Sequence, residues 1–270
     1  MYVPFRTDPL CPRAEFMIMR LDKYLSEGAF SSRTKAARAI ERGLVLLNGK
    51  TAKPSDEVKS SDVVTVLESK ENYVSEGGFK LAKAFSEFGS DVRGKVFADI
   101  GASTGGFTDV LLRNGARRVF AVDVGECQLD EKLAADPRVA VMDGVNARGL
   151  QKNSFSEALD GIVTDISFIS LTYVLPVFSE ILGEGGCVYA LVKPQFECGP
   201  AALDKHGIVK DAKRRRAAIG KIYDCALSCG LAPLQICTAP EHERKNKEFV
   251  MFLRKGATPC KKEKILSIEK

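Results

Sequence analysis

Seven short apolar runs, VFADIG, RRVFAVDVG, RVAVM, GIVTDIS, GCVYALVKP, LQICTA and EFVMFL, recur between residues 96 and 253, and most are separated by helix-length segments. A short apolar run bounded by turn residues suits a strand buried on both faces. Strands alternating with helices demand a mostly parallel sheet covered on both sides, an α/β architecture. Helices are expected near residues 79–89, 105–114, 128–135, 171–182 and 211–229. Ligands of such sheets bind outside the carboxyl ends of the strands.

The remaining chain divides around this block. The charged segment KENYVSEGG marks a linker at 68–75, so the large domain is expected over 76–255 and a small one over 19–67. Residues 1–18 read as an extension without ordered structure, and 256–270 as a frayed basic tail. The longest uncharged run, Ile166 to Ser179, has 14 residues and contains Pro176. A spanning helix needs about 20, so no membrane segment is expected. The opening MYVPFRTDPLCPRAEF lacks the apolar core of a secretory signal. Eight cysteines form no CxxC pair and read as reduced thiols. His206 and His242 are too isolated for a zinc site, so no metal is expected. These features describe a soluble, cytoplasmic protein.

The net charge of +5 is unevenly spread. Residues 20–50 carry seven basic and three acidic side chains, and residues 241–270 nine and five, leaving 5 − 4 − 4 = −3 elsewhere. In the first stretch RLDKYLSEGAF reads as a short helix. Ser31 or Ser32 can cap a second, with Ala36, Ala37 and Ile40 as its buried stripe. Lys35, Arg38 and Arg42 share its exposed face, Arg33 lies in its first turn, and Gly43 ends it. LVLLNGK and DVVTVLE then read as strands. A basic face of this kind meets phosphates, although the spacing alone fits a solvated surface equally well. The absence of interleaved aromatics favours structured RNA over single strands.

In the large domain the first strand ends Asp99-Ile100-Gly101 and leads through Ser103, Thr104, Gly105 and Gly106 into a helix beginning near Phe107. This GxxxGG differs from the GxGxxG of dinucleotide folds. A carboxylate before the loop repels a pyrophosphate and suits an ammonium group, which points to S-adenosylmethionine. Asp123 ends the second strand, 22 residues after Gly101, where an acid can bond ribose hydroxyls. Asp143 follows the third strand and could reach the adenine edge. A different nucleotide-like ligand, or a purely structural turn, is the competing reading. Asp165 and Lys193 end the fourth and fifth strands, Lys80 follows Gly77-Gly78, and Glu248 opens the last strand. Each taken alone is an ordinary surface or edge residue. Together, two amines and two acids could deprotonate a ribose 2′-hydroxyl as a coupled cluster.

These residues also carry a resemblance. Arg20-Leu21-Asp22, Ser32-Arg33, Ala36, Ile40, Gly43, Val45 and Asn48-Gly49 resemble the S4 RNA-binding domain. Ser75, Gly77-Gly78, Lys80-Leu81, the Asp99–Asp109 stretch, Asp123-Val124-Gly125, Gln128-Leu129, Asp165-Ile166-Ser167-Phe168, Lys193-Pro194-Gln195-Phe196-Glu197, Asn246 and Glu248 resemble the TlyA (haemolysin A) family, whose large domain is FtsJ-like. The resemblance implies a Rossmann-like methyltransferase fold with a seven-stranded sheet behind a small α+β S4 domain. It implies 2′-O-methylation of ribosomal RNA or ribosomal subunits, often at cytidine, with S-adenosylmethionine as cofactor. A Lys–Asp–Lys–Glu tetrad maps onto Lys80, Asp165, Lys193 and Glu248, with Lys193 as the base. Asp99, Gly101, Ser103, Thr104, Gly105, Gly106, Phe107, Asp123, Val124, Asp143, Gly144 and Asp165 become cofactor contacts. Arg20, Arg33, Lys35, Arg38, Arg42 and Lys50 become RNA contacts. The chain departs from the pattern at Glu76 and Gly144, where an Arg is usual, and at Cys127 and Lys245, where Gly is usual. The competing functions are a base methyltransferase, a non-catalytic RNA-binding or assembly factor with a degenerate cofactor pocket, and a membrane-lysing toxin.

Overall fold

In the computed structural model the described residues are 18–30, 32–41, 45–59, 61–66, 73–240 and 245–269. The chain forms two compact units, residues 1–72 and 73–270.

In the first unit, β1 (Met19–Arg20) leads into α1 (Leu21–Ser26) and α2 (Arg33–Glu41), followed by β2 (Val45–Leu47), β3 (Lys50–Thr51), β4 (Glu57–Val58) and β5 (Val64–Val66). The strands β3-β2-β5 form one antiparallel sheet, and β1 pairs with β4. Leu21, Leu25, Ala36, Ile40, Val45, Val58 and Val64 form its core. On the second helix Ala36 and Ile40 pack as expected, but the third buried position is Ala39 and not Ala37, which is only half-buried. The two-residue strands β1, β3 and β4 are too short to leave a period in the sequence.

The second unit opens with α3 (Glu76–Phe88) and continues β6 (Val96–Ile100), α4 (Gly106–Arg113), β7 (Arg118–Val122), α5 (Glu131–Ala134) and β8 (Val139–Met142). It then runs β9 (Gly161–Thr164), α6 (Leu175–Ile181), β10 (Cys187–Val192), α7 (Pro194–Glu197), α8 (Ala212–Ser228), β11 (Leu231–Thr238), β12 (Phe249–Lys255) and α9 (Lys262–Leu266). The sheet order is β11-β12-β10-β9-β6-β7-β8. Only β12 runs against its neighbours, pairing antiparallel with β10 and β11. The sheet is thus seven-stranded and mostly parallel, as the alternation requires. Chain order reverses at β6, which lies between β7 and β9, so the binding crevice opens beyond the ends of β6 and its neighbours. Pro233 is accommodated because β11 is an edge strand with an irregular register there.

Alternation along the strands supplies both faces of the core. Val96, Ala98, Ile100, Val188, Ala190 and Val192 pack with α6 and α8. Phe97, Val163, Leu191 and Val250 pack on the other side with Leu81 and Phe85 of α3 and Val110 and Leu111 of α4.

The carboxyl-terminal segment corrects the expectation of a frayed tail. Ile265 of α9 is buried in the core beside α8. Glu269 is also buried, and accepts from Arg215 at 2.6 Å and pairs with Lys247 at 2.9 Å. Burial opposes the charge of Glu269, but the hydrogen bonds from Arg215 and Lys247 outweigh it and hold the carboxyl low. The sequence hides this because Arg215 lies 54 residues away.

Candidate active site

The same two-residue period that builds the core gathers the candidate catalytic residues. Val163, Leu191 and Val250 face α3. Asp165 and Lys193 stand two residues after Val163 and Leu191, and Glu248 two residues before Val250, each just outside its strand and in step with that same side. Because β12 is antiparallel and Phe249 pairs with Val192, its start lies at the carboxyl end of β10. Lys80 comes from the second turn of α3. The structure therefore brings together all four residues singled out from the sequence.

Lys193 is 8% exposed. Its Nζ lies 2.5 Å from Asp165 Oδ1 and donates to Ser167 Oγ at 2.7 Å and to the Asp165 carbonyl at 3.2 Å. Lys80 Nζ donates to Glu248 Oε2 at 2.7 Å and lies 3.9 Å from Asp165 Oδ2. Burial pulls the Lys80 ammonium toward neutrality, but the charges of Asp165 and Glu248 push its pKa above the ordinary lysine value. Lys80 is consequently a fixed cation. Ser167 and Gln195, which donates to Glu248 Oε1 at 2.8 Å, complete the cluster. Both lie in the motifs that carry the family resemblance, but the sequence assigned neither of them a role of its own.

Two cavities reach this cluster. One, of about 410 Å³, is lined by Gly101, Ser103, Asp123, Val124, Gln128, Val145, Asn146, Arg148, Asp165, Ser167 and Phe168, among others. The second, of about 320 Å³, is lined by Glu76, Lys80, Gln195, His206, Ile208, Pro240, Lys245, Asn246 and Glu248. In the first, Asp123 accepts from the backbone N–H groups of Ser103 and Gly125, both at 2.8 Å. Gly101 has φ +82, and a Cβ there would sit 3.1 Å from Ile166 Cγ2. Its walls carry the carboxylates Asp123 and Asp165, the guanidinium of Arg148 and much apolar surface. At its mouth Phe168 is 92% exposed, at φ 66, with its ring 5.3 Å from that of Phe196. Positive φ is uncommon for a non-glycine residue.

Several residues expected as cofactor contacts lie outside the lining of this cavity and pack within the protein. Asp99 is fully buried and does not line the cavity; its Oδ2 accepts from Thr108 Oγ1 at 2.7 Å, while Oδ1 has no partner among the described residues. Burial pushes its carboxyl up to about 7, with the Thr108 bond opposing and the Asp165 charge adding. A Cβ on Gly106 would overlap Ser75 Oγ and approach Gly78 N to 2.8 Å, so this glycine seats α4 against α3 and thereby fixes Lys80. Gly105 is closed in by Leu129 and Leu133, Phe107 belongs to the core, and Thr104 is exposed outside the cavity. Asp143 accepts from Cys127 N at 2.9 Å and Gly144 donates to the Gly125 carbonyl at 3.2 Å, shaping the loop after β7 from outside the lining. Gly144 has φ +69, a conformation that an arginine there would adopt only under strain. The departures Glu76 and Lys245 meet one another, with Lys245 Nζ donating to Glu76 Oε2 at 2.9 Å.

In the first unit, Asp22 is buried and gathers two arginines. It accepts from Arg20 at 3.2 and 3.0 Å and pairs with Arg33 at 3.1 Å. The Arg20 bond, then the Arg33 bond, hold its carboxyl down to about 2 against burial. Both arginine side chains stay about half exposed, and Lys50 is exposed. The side chains of Lys35 and Arg38, and Arg42 and Gly43 entirely, lie outside the described residues, as does His242. Among the described residues no helix is long and apolar enough to cross a membrane, and no group of His, Cys, Asp and Glu could hold a metal ion.

Residues 73–256 match the FtsJ-like methyltransferase family, and residues 19–64 the S4 domain. The chain is 44% identical to hemolysin A of Brachyspira hyodysenteriae, over 77% of this chain and 89% of that one. It is 38% identical to the 16S/23S rRNA (cytidine-2′-O)-methyltransferase TlyA of Mycobacterium tuberculosis, over 84% and 86%. This chain belongs to the TlyA group of FtsJ-like methyltransferases. A solved Streptococcus thermophilus chain bearing the hemolysin name superposes with a TM-score of 0.71 at 36% identity, over 93% of this chain and 95% of that one. The seven-stranded sheet is thus that of an FtsJ-like enzyme, carried with an S4 domain.

Proposed function

We propose that this methyltransferase acts on the ribose 2′-hydroxyl of a cytidine in ribosomal RNA, with S-adenosylmethionine as donor. The observation that carries the reading is the seating of Lys193, nearly buried, 2.5 Å from Asp165 and joined through Asp165 to Lys80 and Glu248. The cluster faces one cavity through Asp165 and the other through Lys80 and Glu248. The names of TlyA relatives support ribose and cytidine as the target.

The first cavity fits the cofactor on its own chemistry: Gly101, Ser103, Asp123, Val124 and Asp165 would hold it, and the carboxylates favour its cationic groups. When bound, S-adenosylmethionine supplies an electrophilic methyl group. Lys193 Nζ, once it has released its own extra proton, would accept the proton of the 2′-hydroxyl while that oxygen takes the methyl group, the methyl–sulfur bond breaks and the neutral thioether leaves. Lys80, kept cationic by Asp165 and Glu248, donates toward the reacting oxygen and steadies its developing charge. Asp165 orients Lys193, and Glu248 orients Lys80. Such general-base assistance contributes about 10²- to 10⁴-fold. In the S4 domain Arg20, Arg33 and Lys50, with Lys35, Arg38 and Arg42 from the same sequence pattern, contact RNA phosphates.

The test is incorporation of labelled methyl groups into purified ribosomal RNA and ribosomal subunits, followed by site mapping. The expected product resists alkaline cleavage at one linkage beside a cytidine. A methylated base whose neighbouring linkages stay alkali-labile would defeat the ribose assignment. Failure to bind S-adenosylmethionine in calorimetry would leave only an RNA-binding factor.

A further inference from the structure

We infer that Gln195 is a positioning residue of the reaction, holding Glu248 so that Lys80 is aimed at the acceptor. The inference rests on the proposed function and adds to it a group outside the tetrad.

Glu248 has both carboxylate oxygens engaged. Oε2 takes Lys80 Nζ at 2.7 Å, and Oε1 takes Gln195 Nε2 at 2.8 Å. A carboxylate only accepts, so it fixes which end of the Gln195 amide faces it. The other end, Gln195 Oε1, is then buried with no partner among the described residues. A buried acceptor left unpaired costs stability, whereas an apolar side chain of similar size would not. A hydrogen bond retained beside such a cost points to a role in the site. Without Gln195, Glu248 could rotate about its terminal bond. Lys80 would then be drawn toward Asp165, 3.9 Å away, where Lys193 is already bound. Gln195 thus keeps the two lysines on separate carboxylates. It follows Lys193-Pro194 at the start of α7, so the segment that presents the base also presents its support. Among the described residues, the charged and titratable groups facing this place are Lys80 and Glu76 from α3, Asp165 after β9, Lys193 at the end of β10, and His206, Lys245 and Glu248 in the cavity wall.

The experiment is single-turnover methyl transfer to ribosomal RNA by the full chain, across pH, for wild type, Gln195→Met and Gln195→Glu. Gln195→Met should fold with unchanged or higher thermal stability and bind S-adenosylmethionine as wild type does. Its transfer rate should fall between about 10- and 100-fold, the loss typical of a displaced reacting group. Gln195→Glu sets two carboxyl groups where an amide met one, and both cannot ionise together. While protonated, the new carboxyl donates to Glu248 as the amide did; once ionised, it repels it. The ratio of its rate to wild type should therefore rise as pH falls, which a purely structural defect would not produce. Repeating the ratio in a His206→Asn background keeps that imidazole out of the profile. A near-wild-type rate for Gln195→Met, or a ratio flat with pH, overturns the assignment. If the wild-type chain itself transfers no methyl group, the proposed function falls and the assignment with it; if wild type is active and the ratio flat, only the assignment falls.

Discussion

Each unit of this protein contains a carboxylate that gathers cations, and the two clusters differ in the cation used. Asp22 holds Arg20 and Arg33, which stay half exposed. Asp165 holds Lys193, nearly buried, and faces Lys80. Guanidinium stays protonated in proteins and offers a planar fork suited to phosphate, so the first cluster can bind but cannot take up a proton. Ammonium can lose its proton when neighbours and burial allow, so only the second can serve as a base. The first is assembled from residues 20, 22 and 33, and the second from residues 80, 165, 193 and 248. The arginine cluster is local in the chain, and the lysine cluster is not.

The most direct way to break this contrast is to give the second cluster the cation of the first. Lys193→Arg should retain the fold and S-adenosylmethionine binding while lowering transfer about 10²- to 10⁴-fold, measured by single-turnover labelling. Near-wild-type turnover would remove Lys193 from the base role. Next in size is the loss of Asp22. Asp22→Asn frees Arg20 and Arg33 and should weaken RNA binding about tenfold at fixed salt, while Arg33→Ala should reduce the salt slope of binding by about one phosphate contact. Titrating filter-binding affinity against salt reads both, and an unaltered affinity would mean that this face does not hold RNA.

Asp22 and Asp99 sharpen the comparison through opposite pH effects. Asp22 is held at about 2, below its unfolded value, so its contribution to stability is present above the ordinary carboxylate range and lost as pH falls toward about 2. Asp99 is raised to about 7, so the folded state prefers its protonated form. Its contribution is present below the ordinary range and declines as pH rises toward about 7. Thermal unfolding of Asp99→Asn should therefore lack part of the wild-type decline between pH 4 and about 7. Identical pH profiles for the two proteins would contradict that. The smallest effect is expected at the partly exposed Glu76–Lys245 pair. Lys245→Ala should change stability by less than about 1 kcal/mol, with any functional change in KM for RNA and none in cofactor affinity.

The large sheet was legible because each buried strand is a compact apolar run and each connection a helix-length segment. Of the four candidate residues, Asp165, Lys193 and Glu248 were legible as strand-end positions, and Lys80 only through the family resemblance, since alone it looks like any helix-surface lysine. What stayed hidden depends on contacts across the chain. The glycines of the first loop looked like a ligand cradle, yet Gly105 and Gly106 are set by Leu129, Leu133, Ser75 and Gly78. Asp99 looked like a ligand carboxylate, yet Thr108, in the first turn of α4, donates to it and both are buried. The terminal segment looked frayed because neither Ile265 nor Glu269 announces its distant partners.

The parity shared by Asp165, Lys193 and Glu248 has a consequence for how such a chain tolerates change in length. Adding or deleting one residue within β9, β10 or β12 would turn its terminal functional group to the opposite surface of the sheet. Lengthening the connections at 143–160 or 198–211 leaves that orientation intact. Insertions should thus be accepted in those connections and rejected inside the three strands, even where the inserted residue is itself a good strand former.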